Sequence, residues 1–271
     1  MRLKFLGTAA AEGFPGIFCK CATCEEARRL GGKDLRYRSA LLVNTDLLID
    51  FGPDLMAAAQ RFGLSLWTVT TALITHAHSD HFYLSNFEMR KQAFTAGLEI
   101  PTLTVYGSPD VKNALAGEFS NLDEARLAVQ TVMPFQSWQA GGYQFRSFRA
   151  YHAVGSLDCR FYAVERPEGS FLYATDTGLF PAETWSALTG RRFDVIILEE
   201  TLGTGNYTQH LGFETFLQTA AQMRSANLLK PGGRLIAHHF SHSANPTHAR
   251  LVEFFTAHGV EVAYDGLEIT I

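Results

Sequence analysis

Thr75-His76-Ala77-His78-Ser79-Asp80-His81 places three histidines and one aspartate within six residues, directly after the apolar run Ala72–Thr75. Neutral imidazole and carboxylate are the usual ligands of borderline divalent metals. A loop can direct alternate side chains toward two ions, which a regular strand or helix cannot. The spacing therefore points to a dinuclear metal site rather than a polar loop with chance histidines. More ligands are needed, and candidates follow other strand-like runs: His152 after Tyr143–Tyr151, Asp176 after Phe171–Thr175, and the His238-His239 pair after Arg234–Ala237. In layered α/β folds, sites gather where several strands end on one edge. Adjacent residues at a strand end face opposite ways, so only one of His238 and His239 easily faces such a site.

Outward from this loop, short β-branched runs alternate with turn residues. The predicted strands are Leu3–Thr8, Ala40–Asn44, Leu47–Asp50, Ala72–Thr75, Leu103–Tyr106, Tyr143–Tyr151, Arg160–Glu165, Phe171–Thr175, Val195–Leu198, Arg234–His238, Glu261–Tyr264 and Glu268–Ile271. Helices are predicted from Pro53 to Phe62, from the capping box Ser85-Asn86-Phe87-Glu88 to Gly97, from Phe213 onward, and from near Pro246 to Gly259. Strands outnumber helices, and hairpins at both ends exclude a simple parallel βαβ series. Two mixed sheets covered by helices fit these counts, with residues 1–271 as one domain. The 23 Lys+Arg against 27 Asp+Glu leave a net charge of −4, which gives no basic footprint for nucleic acid. No apolar run is long enough to span a membrane. Only Phe5-Leu6-Gly7-Thr8 separates the basic Met1–Lys4 start from Ala9-Ala10-Ala11, too short for a signal-peptide core, so a cytoplasmic protein is expected.

A loop from about residue 9 to 32 carries Cys19-Lys20-Cys21-Ala22-Thr23-Cys24. Three thiols this close suit a tetrahedral zinc that lacks one ligand. A thioredoxin-like Cys21/Cys24 pair is the alternative, but that motif opens a helix after a strand, which this loop does not obviously supply. Idle thiols are the third reading. Cys159 reads as a small buried apolar residue. His248 and His258 read as residues of an exposed helix face.

The His-x-His-x-Asp-His loop, the Asp50-Phe51-Gly52 turn and the ordered downstream ligands resemble the metallo-β-lactamase superfamily along essentially the whole chain. The resemblance implies a four-layer αβ/βα sandwich with two metals at the sheet edge. His76, His78 and His152 would hold the first metal. Asp80, His81 and the C-terminal histidine would hold the second, with Asp176 bridging and Asp50 supporting the metal loop from behind. The cysteine loop further resembles the 5-phosphoribosyl 1,2-cyclic phosphate phosphodiesterases of phosphonate catabolism. There a fourth zinc ligand lies three residues after the last active-site histidine. That spacing implies His239 in the active site and His242 with Cys19, Cys21 and Cys24 on a structural zinc, leaving His238 as a packed histidine. His210, before the helix at Phe213, matches a histidine that several phosphodiesterases of the superfamily place against the phosphate or leaving group.

The expected activity is metal-dependent hydrolysis of a small or cyclic phosphodiester by a hydroxide shared between two divalent ions. Asp80 and His210 are the catalytic candidates. Zinc and manganese, with iron as a third candidate, all accept such a ligand set. Three other functions stay open. A lactonase or thioesterase would use the same metals. A non-hydrolytic protein of cofactor biosynthesis has a similar cysteine loop, since the protein of pyrroloquinoline quinone formation resembles this chain there. An iron redox enzyme is the remotest. A tRNA 3′-processing nuclease would share His210 but needs a basic, Gly-rich arm that is missing between Phe82 and Ser137. The Phe82–Trp138 segment is expected to wall the pocket. The expected partner is a small-molecule substrate, with no nucleic acid and no membrane, and a homodimer stays open.

Overall fold

The computed structural model describes residues 1–271, and its strands form two seven-stranded sheets. The first sheet contains β1 (Arg2–Gly7), β2 (Ala40–Val43), β3 (Leu47–Ile49), β4 (Thr71–Leu73), β5 (Leu103–Gly107) and β6 (Leu127–Thr131). The second contains β7 (Ser137–Ala140), β8 (Tyr143–Arg149), β9 (Arg160–Arg166), β10 (Gly169–Ala174), β11 (Phe193–Glu199), β12 (Leu229–His238) and β13 (Glu261–Val262). β14 (Glu268–Thr270) returns to the first sheet and pairs antiparallel with β1. The helices are α1 (Ala22–Leu30), α2 (Leu55–Arg61), α3 (Ser85–Glu88), α4 (Pro109–Glu118), α5 (Ala182–Leu188), α6 (Phe213–Ser225) and α7 (His248–Thr256). No helix is long and apolar enough to cross a membrane.

Strand alternation sets the layering. Phe171, Tyr173, Val195, Ile197 and Ile236 face inward and meet Leu3, Phe5, Leu41, Val43 and Leu73 of the other sheet. Their neighbours Leu172, Ala174, Ile196, Leu198, Leu235 and Ala237 face outward against Leu188 of α5, Phe216 and Met223 of α6, and Phe255 of α7. On the far side, Leu55 of α2, Phe87 of α3 and Leu115 of α4 cover Leu42, Leu48, Ala72 and Val105. This is the expected four-layer sandwich. Burying each large apolar side chain contributes about 1.5–3 kcal/mol, so the three packed interfaces dominate its stability.

Register aligns the functional edge. β10, β11 and β12 run parallel with Ala174 beside Leu198 and Leu198 beside Ala237. β9 is antiparallel to both β8 and β10, so β8 points the same way as β10. In the first sheet, β3 and β4 are parallel with Ile49 beside Leu73. The turns that follow residues 49, 73, 149, 174, 199 and 238 therefore open together.

Several local expectations need correction. Strands β6 and β7 escaped the sequence because Leu127–Thr131 and Ser137–Ala140 carry polar residues on their half-exposed faces. The helix predicted from Ser85 to Gly97 ends at Glu88, where the chain turns so that Arg90 can reach the carbonyls of Ala125 and Pro101. The cysteine loop contains α1, a mostly polar helix whose buried side is only Cys24 and Ala27, too narrow a stripe to stand out in the sequence. The Phe82–Trp138 segment supplies β5, β6 and α4, and meets the loop after β8 where Asp110 accepts the Asp158 N–H at 2.8 Å. His248 is buried rather than exposed: its Nδ1 lies 2.9 Å from Arg36 Nη2 and its backbone N–H reaches Asp34 at 2.6 Å.

Candidate metal centre

The turn after β4 delivers two groups of side chains. In the first, His76 Nε2 and His78 Nδ1 are 2.9 Å apart, and His152 Nε2 comes within 3.3 Å of the same His78 nitrogen. In the second, His81 Nε2 stands 3.2 Å from Asp80 Oδ2, and Asp80, His81 and His239 converge on one point. Asp176 spans both groups. Its Oδ2 lies 2.7 Å from His81 Nε2 and 3.0 Å from His239 Nε2, while Oδ1 faces His152 Nε2 at 3.9 Å. Bonds of about 2.0–2.1 Å in a tetrahedron put ligand atoms about 3.3 Å apart, which is the spacing seen here.

The buried atoms fit cations better than they fit one another. His81 Nε2, Asp176 Oδ2 and His239 Nε2 are buried without any hydrogen-bond partner, although they crowd within about 3 Å. Buried polar atoms left unpaired are costly, and a metal ion resolves all three at once. Orientation is supplied from behind, as such ligands require. Asp50 Oδ2 takes His81 Nδ1 at 2.7 Å, and its Oδ1 accepts the Thr75 N–H and hydroxyl, both at 2.9 Å. Thr75 Oγ1 meets His76 Nδ1 at 3.0 Å, and Thr201 Oγ1 meets His239 Nδ1 at 2.8 Å. Asp50, Asp176 and His239 all adopt left-handed backbone, with φ of 64°, 49° and 66°. Non-glycine residues hold that conformation at a cost of about 1–3 kcal/mol, a form of strain that clusters at functional sites. Gly52 is obligatory for another reason: a Cβ there would sit 2.1 Å from the Asp80 carbonyl oxygen.

Electrostatics follow the packing. Burial drives the His76 imidazole well below its ordinary pKa. Burial also opposes charge on His81, yet Asp176, Asp80 and Asp50 around it raise its pKa well above the usual value. Burial would push Asp176 up, but His239 and His81 hold it well below the usual carboxylate range.

His238 and His239 divide as their alternation predicts. His238 turns inward, where Phe5 packs edge-on at 5.5 Å and Tyr173 Oη lies 3.1 Å from Nε2. His210 comes to the other side of Asp176, with Nδ1 3.7 Å from Oδ1. Glu199 holds it, both carboxylate oxygens lying 3.2 Å from Nδ1. Burial alone would lower the His210 pKa, but the Glu199 charge outweighs it and pushes it up to about 9. Glu199 itself is fully buried and also accepts the Thr177 and Leu211 N–H groups and the Thr201 hydroxyl. The sequence reading overlooked Glu199, Thr201 and Thr75 as site residues. Their position just before or after a strand end of this edge is the signal that marks them.

Cys19, Cys21, Cys24 and His242 bring their ligand atoms within 4.8 Å of one another. Cys21 caps α1, so the helix missing from the sequence reading begins at this motif, although a turn-rich loop rather than a strand precedes it. The Cys24 backbone N–H lowers the Cys21 thiol to about 7, while burial raises Cys24 to about 12. His242 Nδ1 is buried without a partner. A Cβ at Gly16 would lie 2.5 Å from His242 Nε2, so the loop closes on that ring only with glycine there. Three thiolates and one imidazole satisfy a tetrahedral zinc. His242→Ala is expected to release about one metal ion per chain and to lower Tm by about 5 °C or more. Unchanged melting with unchanged metal content would count against this assignment. Cys159 is buried just before β9, as expected.

Beside His152 a cavity of about 320 Å³ is lined by Tyr151, Val154, Leu157 and Pro181. The charged groups on its wall are already paired, Arg149 with Glu183 at 3.2 Å and Asp158 with Arg160 at 2.6 Å.

Comparison with known proteins agrees with this architecture. The chain is 27% identical to the coenzyme PQQ synthesis protein B of Cupriavidus taiwanensis over 318 aligned positions, covering 99% of each chain. Among solved structures, a diphosphatase from the PhnP family superposes with a TM-score of 0.78 at 22% identity, covering 100% of this chain and 97% of the other. Zinc-bound PqqB from Methylobacterium extorquens gives 0.76 at 18% identity, with both chains fully covered. The short form of human tRNase Z gives 0.67 at 17% identity, over 100% of this chain and 99% of the other. These likenesses establish the fold. Residues 45–240 match the family described as the beta-lactamase superfamily domain, and with most of its length inside that match the chain belongs to the beta-lactamase superfamily of metal-dependent hydrolases.

Proposed function

We propose that this protein is a phosphodiesterase acting on a small or cyclic phosphodiester. One observation carries the reading: Glu199 holds His210 against the carboxylate shared by two ligand clusters. His76, His78 and His152 would hold one divalent ion, Asp80, His81 and His239 a second, and Asp176 both, with zinc, manganese or iron compatible with the donors. Such ions supply an acidified water as nucleophile and neutralise charge on the oxygens around phosphorus.

The rest belongs to the chain. Asp50, Thr75 and Thr201 fix the ring orientations of His81, His76 and His239. Glu199 takes His210 Nδ1, which leaves Nε2 as the nitrogen to meet a substrate oxygen. A cationic imidazole there can donate a proton to the leaving oxygen or bind a non-bridging oxygen. The cavity beside His152 has no unpaired cation for a second phosphate, which favours a substrate with an uncharged distal group. The net charge of −4 adds nothing for a nucleic-acid partner.

A second reading, a non-hydrolytic binding protein of cofactor biosynthesis, draws on the similarity to a PQQ synthesis protein. The deciding experiment compares metal-replete protein with Asp80→Ala on bis(p-nitrophenyl) phosphate, cyclic phosphodiesters, lactones and thioesters. Phosphodiester turnover that vanishes in the variant is the expected result. Turnover of carboxyl esters alone would replace phosphodiesterase by lactonase or thioesterase. No turnover from fully metallated protein would favour the binding role.

A further inference from the structure

On the outer face of the first sheet, α2, the turn at 64–69 and the stretch 86–103 enclose a second cavity of about 350 Å³. Its wall is apolar, built from Leu48, Leu55, Met56, Leu66, Trp67 and Leu103. At 350 Å³ it falls within the range of small-molecule sites, and it uses none of the metal-centre residues.

One charged side chain breaks the apolar wall. Arg90 is only 9% exposed. Its Nε donates to the Ala125 carbonyl at 3.3 Å and its Nη2 to the Pro101 carbonyl at 2.6 Å. The other deeply buried arginines have acidic company: Arg160 is held by both oxygens of Asp158, and Arg36 feels Asp265, Asp34 and Glu200. Arg90 makes no ion pair, and burial alone lowers its pKa to about 10. A buried charge left without a counter-charge is costly, so its retention here asks for an anion.

The surroundings narrow what that anion can be. Arg90, Thr95 and Ile100 line both the apolar cavity and an adjoining polar cleft of about 660 Å³. An occupant at this junction meets grease on one side and water on the other. The polar cleft also carries Asp123 and Glu124, and Glu99 already paired with Arg126 at 3.1 Å, so negative charge beyond the single one that Arg90 balances is disfavoured there. With Nε and one Nη2 hydrogen engaged by carbonyls, the Nη1 hydrogens and the second Nη2 hydrogen remain to meet the oxygens of a planar carboxylate. Trp67, Phe94 and Leu98 are exposed nearby, yet Arg90 is recessed, where a membrane headgroup would not reach it and a free ligand would.

We propose that this cleft binds a free amphipathic monocarboxylate, with its chain in the apolar cavity and its carboxylate on Arg90. The test titrates decanoate into metal-loaded protein and follows Trp67 fluorescence, with Trp67→Phe as the silent control. Saturable binding is expected, weakening about fourfold for each methylene removed, with decanol at least about tenfold weaker than the acid. Arg90→Gln should abolish the preference for acid over alcohol while decanol still binds, which shows that the cleft is intact. Ala59→Phe should fill the cavity and remove binding of both, with hydrolysis at the metal centre unchanged. The absence of a saturable response, or decanol binding as tightly as decanoate in the unmodified protein, overturns the proposal. So does association with acyl-chain vesicles in the absence of decanoate binding.

Discussion

Asp176→Asn is expected to lower turnover of bis(p-nitrophenyl) phosphate by about three powers of ten and to deplete the bound metal. Asp176 is the residue whose two oxygens face different clusters, Oδ2 toward His81 and His239, Oδ1 toward His152. Asparagine keeps the shape but removes the negative charge and one anionic ligand atom. A thousandfold loss corresponds to only about 4 kcal/mol of barrier, which losing a single preorganised charge at a reacting centre can supply. Asp80→Asn provides the contrast, because Asp80 reaches the second cluster alone. Metal analysis should therefore find more metal retained in the Asp80 variant than in the Asp176 variant. Full metal content in Asp176→Asn, with more than a tenth of the turnover, would refute the bridging assignment.

His210→Ala is expected to lower kcat by about 10²–10⁴, the range for losing a positioned proton donor. The size should depend on the substrate. Methyl or alkyl phosphodiesters, whose leaving oxygens need a proton, should lose far more than p-nitrophenyl esters, whose leaving groups do not. Equal losses across that series would reduce His210 to a phosphate-binding residue. The pH dependence has a definite sign. His210 is raised to about 9, so its acid form dominates below that value and is lost as pH rises through it. Divalent ions in the neighbouring clusters pull the transition down, so the alkaline limb should lie at or below about 9. Glu199→Gln should move the limb lower still, because it removes the charge that holds the proton. A limb unchanged in both variants belongs to another group.

Most of the candidate site was legible in the sequence because potential metal donors stand in short, unusual spacings. His76, His78, Asp80 and His81 lie in one turn, and the remaining candidate ligands lie at strand ends, where an apolar run stops. The strands were legible as short apolar runs, while the four layers came from the family resemblance; the structure shows Phe171–Ala174 and Val195–Leu198 alternating between two cores. Residues that act through others left weaker marks. Glu199 and Thr201 are ordinary residue types after an ordinary strand, and only the register of β11 against β10 and β12 brings them under His210 and His239. Helix α1 was hidden by its polarity, and β6 and β7 by their exposed faces. His248 was misplaced because its burial comes from Arg36 and Asp34, far away in sequence.

The division of the ligands between the two sheets also bears on how the protein is made. A ribosome releases His76 through His81 early, while Asp176 and His239 are still untranslated. The first-sheet ligands thus emerge as an incomplete chelate with no carboxylate to join its two halves. β12 must pair with β11 before His239 can close the second cluster, so that cluster is complete only once the C-terminal strands have docked. An ion bound there would therefore be drawn from whatever the surroundings offer at that late stage.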